Sequence, residues 1–206
     1  CAQFPVYPYS KRIFIDVTVL RGWLQNNYIT GIGRVCLNLY FELCQMADVV
    51  AVSTENVNGK FVFYPVDMNT CEIGEESLAI RSGDIYFMPE FQIRGIQIPE
   101  DYPHPSYLRA MGVKTYAIIY DILPLLMPQY FEEKTNQAFL RYVQDILQGY
   151  DGVLTDSKAV SDELIQYYVD HELQTDHMVK IGWFHNGVDV SPESVDKNSV
   201  HPCTAE

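Results

Sequence analysis

Apolar residues run along this chain in two rhythms. Short, dense blocks rich in β-branched residues alternate with longer stretches in which apolar side chains return every three or four positions. The first block, Arg12 to Leu20 (RIFIDVTVL), is apolar at successive positions, the mark of a strand covered on both faces in a parallel sheet. A loop is expected from Arg21 to Thr30. Ile32, Val35, Cys36, Leu39, Leu43 and Met46 then make one stripe at helical spacing, with Thr30 placed to cap the helix. Val49 to Ser53 and Phe61 to Val66 read as strands around an Asn58-Gly59 turn. Asp84 to Met88 and Thr115 to Tyr120 read as two further buried strands. Phe139, Val143, Ile146 and Leu147 predict a helix within Glu132 to Gly149, closed by the glycine. Gly152 to Thr155 predicts a short strand. Asp156 or Ser157 opens a helix through Val160, Leu164 and Tyr168, and Val179 to Phe184 is the last strand.

Strands that alternate with helices predict an α/β fold: a Rossmann-like, open, mostly parallel sheet with helices on both faces. The second quarter is richer in strand and is expected to hold a hairpin. Residues 1–11, with their Pro and Tyr, form an irregular lead-in; 12–190 form one domain; 191–206 have linker or tail composition. Ligands of such sheets sit at the carboxyl ends of strands. The loops after Leu20, Met88, Tyr120 and Thr155 are therefore the places to search.

Composition narrows the partners. The 206 residues include 48% hydrophobic and 13% aromatic, enough to build the core of one domain. The formal net charge is −13 and the 14 Lys and Arg are scattered, so no basic stripe marks a nucleic-acid reader. The same balance disfavours electrostatic adhesion to an anionic bilayer, while leaving peripheral membrane association through another part of a longer protein open. No run approaches the roughly 20 apolar residues of a membrane span, and no signal peptide is visible. The chain opens on Cys1 rather than Met, which reads as an excised fragment, with a lipid-modified mature N-terminus as the alternative. The five cysteines (1, 36, 44, 71 and 203) have neither CxxC nor zinc-ligand spacing and read as reduced thiols of a cytoplasmic protein.

Four motifs offer chemistry. Thr30-Gly31-Ile32-Gly33-Arg34 joins a loop to a helix start, where free N–H groups and Arg34 favour an anion. The bland alternative is a tight turn that packs the helix on the sheet. A dinucleotide fingerprint is disfavoured, because Cys36 stands where the third glycine belongs. Tyr120-Asp121-Ile122-Leu123-Pro124 ends a buried strand in a carboxylate, which is costly there unless it is paired, used or capping the next turn. Thr155-Asp156-Ser157-Lys158 places Ser157 at a strand-to-helix junction, as a cap, with Lys158 as a contact for an anion. His185-Asn186-Gly187-Val188-Asp189 marks a sharp turn or exit after the last strand. His104, His171, His177 and His201 lack zinc-ligand spacing, and no metal site is expected. Tyr102, Tyr107, Tyr167 and Tyr168 are candidates for stacking on sugar rings or, more simply, for packing.

Taken in order, TGIGRV, YDILPLLMPQYF, DGVLTDSKAVSDEL and HNGVD resemble the N-terminal half of glycosyltransferase family 4, over about residues 12–190. That resemblance implies the GT-B fold, in which two Rossmann-like domains face each other across a cleft. It implies a retaining, mannosyltransferase-like enzyme of polysaccharide biosynthesis, of the kind that builds bacterial surface glycans. A nucleotide-sugar donor and a glycan acceptor would be its substrates, without metal or other cofactor, at the cytoplasmic side of the membrane. Gly31, Ile32, Gly33 and Arg34 would face the donor phosphates. Tyr120 and Asp121 would lie at the cleft floor, the tyrosine where many members carry His. Ser157 and Lys158 would line the cleft, and Asn186 and Gly187 would lead into the interdomain linker. The family's donor-binding Glu-x7-Glu belongs to the C-terminal domain, and no two glutamates stand eight apart here. The chain is thus expected to be the acceptor-side half, inactive alone. The alternatives are a non-catalytic GT-B-like binding or scaffolding module in a larger polypeptide, and a nucleotide-binding oxidoreductase domain.

Overall fold

A computed structural model describes residues 11–58, 60–90, 106–172 and 177–187. The eight strands are β1 (Arg12–Asp16), β2 (Asp48–Val57), β3 (Lys60–Asp67), β4 (Glu72–Ile73), β5 (Ile85–Met88), β6 (Lys114–Ile119), β7 (Gly152–Thr155) and β8 (Lys180–Trp183). They form one sheet in the order β4-β3-β2-β1-β5-β6-β7-β8. From β2 to β8 every neighbouring pair is parallel, and β3 and β4 are appended antiparallel at one edge. The α/β, mostly parallel, Rossmann-like architecture expected from the sequence is present.

Alternation along the central strands fills two cores. Phe14, Tyr86, Met88, Ala117, Ile119 and Val153 face one side. There they meet Leu108 of α3 (Ser106–Ala110), Val143, Ile146 and Leu147 of α5 (Glu133–Gly149), and Leu164 of α6 (Lys158–Asp170). Ile15, Phe87 and Ile118 face the other side, against Leu20 of α1 (Thr18–Gln25) and Cys36 of α2 (Gly31–Met46). Helices therefore cover both faces, and the period of two seats each strand residue in one core or the other. Asn58 has φ 53°, the left-handed conformation that the β2–β3 turn requires.

The expected strand from Arg12 to Leu20 is overturned in its second half. Strand β1 stops at Asp16, whose Oδ1 accepts the Thr18 N–H at 2.9 Å and turns the chain into α1. The first half of the expected loop, Arg21 to Gln25, is therefore helix, and the second half is turn and loop. Thr18 and Val19 are β-branched and Gly22 lies inside the helix, so local propensity opposed it. Burial of Leu20, 1% exposed, wins. The α2 stripe holds in its middle, but Ile32 and Met46 at its ends are 38% and 81% exposed. Between β6 and α5 lie a short α4 (Leu123–Leu126) and a 3-10 turn (Pro128–Tyr130), neither predicted. The lead-in before Lys11, Tyr102, His104, Val188, Asp189 and the tail at 191–206 lie outside the described residues.

Candidate functional site

Strand β1 leads through α1 and α2 to β2 on one side, while β5 leads to β6 on the other. The connections part between β1 and β5, the switch point where a doubly wound sheet has its crevice at the carboxyl ends of the strands. The first wall is Asp16, the last residue of β1 and 3% exposed. Its Oδ2 accepts the Thr54 hydroxyl at 2.5 Å and the Tyr86 hydroxyl at 2.6 Å, and Oδ1 holds the Thr18 N–H. Both oxygens are thus occupied, and Asp16 locks β1, β2, β5 and the start of α1 together.

Two residues beyond β5 stands Glu90, 7% exposed. The Trp23 indole N–H of α1 donates to its Oε1 at 3.1 Å, and its Oε2 is buried with no hydrogen-bond partner among the described residues. Burial pushes the Glu90 carboxyl above its ordinary range and nearby Asp16 pushes it further, against the opposing pull of the Trp23 hydrogen bond. Trp23 packs edge-on against Tyr28, ring centres 5.3 Å apart, and Tyr28 is 56% exposed. Glu90 was not singled out in the sequence. The only signal for it was its place in the loop after Met88.

The third wall is α2. Cys36, in its second turn, donates to the Pro89 carbonyl at 3.5 Å and lies 3.7 Å from the Tyr120 hydroxyl. The Tyr120 hydroxyl itself donates to Pro89 O at 2.9 Å. Burial, reinforced by Glu90, pushes the Cys36 thiol up to about 12, so it is no nucleophile at neutral pH. Burial, then Cys36 and Glu90, also push the Tyr120 phenol upward. Tyr120 is therefore a neutral donor fixed to the backbone.

The other sequence candidates distribute around this crevice. Thr30 caps α2, its Oγ1 accepting the Gly33 N–H at 2.8 Å. Gly33 is buried, and a Cβ there would meet Ile29 at 3.1 Å and Leu20 at 3.5 Å, so its small size lets α2 close on α1. Gly31 has open space where a Cβ would go. Ile32 and Arg34 are exposed, and Arg34 has no polar partner among the described residues.

Asp121 is exposed and its Oδ1 accepts the Leu123 N–H at 3.0 Å, capping the turn into α4. Ser157 is the N-cap of α6, accepting the Val160 N–H at 3.3 Å. Lys158 pairs with Asp162 at 2.6 Å on the surface of the same helix. The Asn186 amide donates to Asp156 Oδ2 at 3.4 Å, which places the end of β8 beside the end of β7, and Gly187 is exposed. Burial, followed by the charge of Asp121, raises the Asp156 carboxyl. Tyr120 and Cys36 thus share the crevice with Glu90. Asp121, Ser157, Lys158 and Asn186 lie at the carboxyl ends of β6 to β8, the first three with a local bond and Asn186 with its bond to Asp156.

Among the described residues no group of His, Cys, Asp or Glu is arranged to hold a metal, and no helix is long and apolar enough to cross a membrane. Comparison with protein families, with curated proteins and with solved structures finds no match to this chain.

Proposed function

We propose that the chain is the acceptor-side domain of a GT-B glycosyltransferase that moves a sugar from a nucleotide-sugar to a glycan, with retention of configuration and no required metal. The observation that supports this most is the first turn of α2. Exposed Gly31 and Arg34 stand in the first turn of a 16-residue helix whose Thr30 cap takes the Gly33 N–H, near the switch point where a doubly wound sheet takes its ligands. Backbone N–H groups and an unpaired guanidinium there suit a departing nucleoside diphosphate, whose developing charge they would stabilise. Donor binding itself would need a second domain, and closure of the two would exclude water from the transfer. Such a domain pair works on the cytoplasmic side of a membrane in the synthesis of surface polysaccharide.

The experiment is a transfer assay on the complete protein that carries this domain, with GDP-, UDP- and TDP-sugars. Arg34→Ala is expected to lower kcat by about a hundredfold, the scale of losing one preorganised charge-stabilising donor. Gly31→Trp, which projects into open space, should abolish transfer without unfolding the chain. An active protein indifferent to both changes overturns the site. A complete protein that transfers no sugar favours the second reading, a non-catalytic GT-B-like binding module. Tyr120 and Asp121 favour that reading too, because the first spends its hydroxyl on Pro89 and the second caps a turn.

A further inference from the structure

The two halves of α1 are held by different means. Its first turn is fixed to the sheet: Thr18 Oγ1 accepts the Thr54 N–H at 2.9 Å, Asp16 Oδ1 accepts the Thr18 N–H, and Leu20 is buried. Its second half closes on itself. Asn27 takes the left-handed φ of 52°, and the Asn27 and Tyr28 N–H groups return to Leu24 O and Trp23 O at 3.0 and 3.1 Å. The Tyr28 ring packs on Trp23, the apolar contact that accompanies such a helix stop. Between the halves stands Gly22, with open space where a Cβ would go. No close approach requires a glycine there, and a helix is softest at such a residue.

Few bonds tie the second half to the rest of the protein. Gln25 donates to the Cys71 carbonyl at 3.3 Å from an exposed position, Leu24 is half-buried, and the Trp23 indole donates to Glu90. The backbone that carries Glu90 is fixed, because the Tyr120 hydroxyl and the Cys36 thiol both donate to Pro89 O. Glu90 is faced by the Asp16 carboxyl from β1, the Cys36 thiol from α2 and the Tyr120 phenol from β6, and no cation pairs with it among the described residues. Asp16 has three donors for its charge, whereas Glu90 has one indole N–H and a buried oxygen without a partner among the described residues. Ionising Glu90 in place therefore sets a single donor against burial and the like charge of Asp16.

We propose that Gly22 to Tyr28 form a flap, hinged at Gly22 and latched by the Trp23–Glu90 bond, which is shut while Glu90 carries its proton and lifts when the carboxyl ionises and turns to water. The shut form holds the proton more tightly than the open form, so a rise in pH opens the flap and a fall shuts it. Tyr28 stands two residues before the Thr30 cap of α2, so the flap leads straight into the glycine-rich turn. The flap exists without the transferase. Its effect on that turn, which lifting would draw away from a bound diphosphate, rests on the functional reading above.

The test uses the 206-residue chain carrying Trp183→Phe, so that Trp23 is the sole tryptophan reporter. Its emission is followed from about pH 4 to about pH 9, and amide hydrogen exchange, corrected for the intrinsic rate, is read over the same range. Emission should move to longer wavelength along a one-proton curve whose midpoint lies above the ordinary 4.5. Protection of the Trp23 to Tyr28 amides should fall along the same curve, while that of Arg21, bonded to Val17 O, holds. Glu90→Gln, which keeps the size of the side chain and has no proton to lose, should abolish both changes. Gly22→Ala, which the open space admits, should stiffen the hinge and raise protection of those amides about two- to fivefold above the midpoint, the scale of a helix-interior glycine replaced by alanine. Constant emission, the same curve in Glu90→Gln, loss of protection that takes in Arg21 equally, or no change in Gly22→Ala would each overturn the flap. Transfer in the complete protein separates the two claims. An inactive complete protein removes the transferase and leaves a flap read on the chain alone, whereas constant emission beside an active complete protein removes the flap and leaves the transferase.

Discussion

At the scale of single residues, the buried carboxyl of Glu90 sets a pH dependence whose sign can be worked out. Its folded-state value lies above the ordinary 4.5, chiefly because burial penalises the charge. The folded chain then holds the proton more tightly than the unfolded chain, so stability from this group is full below the ordinary value and falls as pH rises through the raised one. Glu90→Gln has no charge to bury and can still accept from Trp23. Thermal unfolding should therefore show the variant gaining on the parent as pH rises from about 4 to about 7, with the two closest at the acid end. A difference in Tm that stays flat over that window would mean that Glu90 is solvated and its partnerless oxygen is met by water. Asp151 shows the opposite sign. Burial would raise it, but the Thr115 N–H and the Lys114 ammonium outweigh burial and hold it low, so its contribution is lost towards acid.

At the scale of elements, the glycine-rich turn separates two roles that one motif had joined. The Thr30 cap and the tight Gly33 contact make α2 start where it does. Gly31, two residues earlier, has open space where a Cβ would go. Thr30→Ala should destabilise the chain by about 1 kcal/mol, as for other N-caps. Gly33→Trp should unfold or misdock α2 because Ile29, Thr30 and Leu20 already fill the space, whereas Gly31→Trp should leave the denaturation midpoint nearly unchanged. Equal damage from both tryptophans, read by chemical denaturation, would mean that the open space at Gly31 is closed in solution.

The contrast between helices also explains what the sequence made legible. Helix α5 was readable because Phe139, Val143, Ile146 and Leu147 are all buried on one stripe, so pattern and packing agree. Helix α1 was hidden because its residues are poor local helix formers held by tertiary contact, and its first turn continues the apolar run of β1. Glu90 was hidden for a related reason. Trp23, which bonds it, and Cys36 of α2, whose thiol feels its charge, lie more than fifty residues away in sequence, and no spacing rule carries that information.

At the scale of the whole molecule, the net charge of −13 acts against the compact state by self-repulsion, and the ion pairs of the described residues act for it. The pairs include Arg12–Asp84, whose Asp84 side chain is 7% exposed, Lys114–Asp151, and Lys158–Asp162, exposed at 63% and 60%. Salt weakens both effects, but unequally. The surface pair Lys158–Asp162 contributes no more than a few tenths of a kcal/mol at low salt, and Arg12–Asp84 is shielded from solvent ions by its burial. The repulsion, in contrast, is spread over exposed carboxylates many ångströms apart. Its range is the Debye length, which shrinks from about 30 Å at 0.01 M to about 8 Å at 0.15 M. Screening should therefore remove more repulsion than attraction, and Tm at neutral pH should rise between those two concentrations of sodium chloride. The gain should be smaller at about pH 5, where part of the carboxylate charge is lost to protonation. A Tm that falls with salt would mean that the pairs, Arg12–Asp84 above all, hold the sheet more strongly than the distributed charge opposes it.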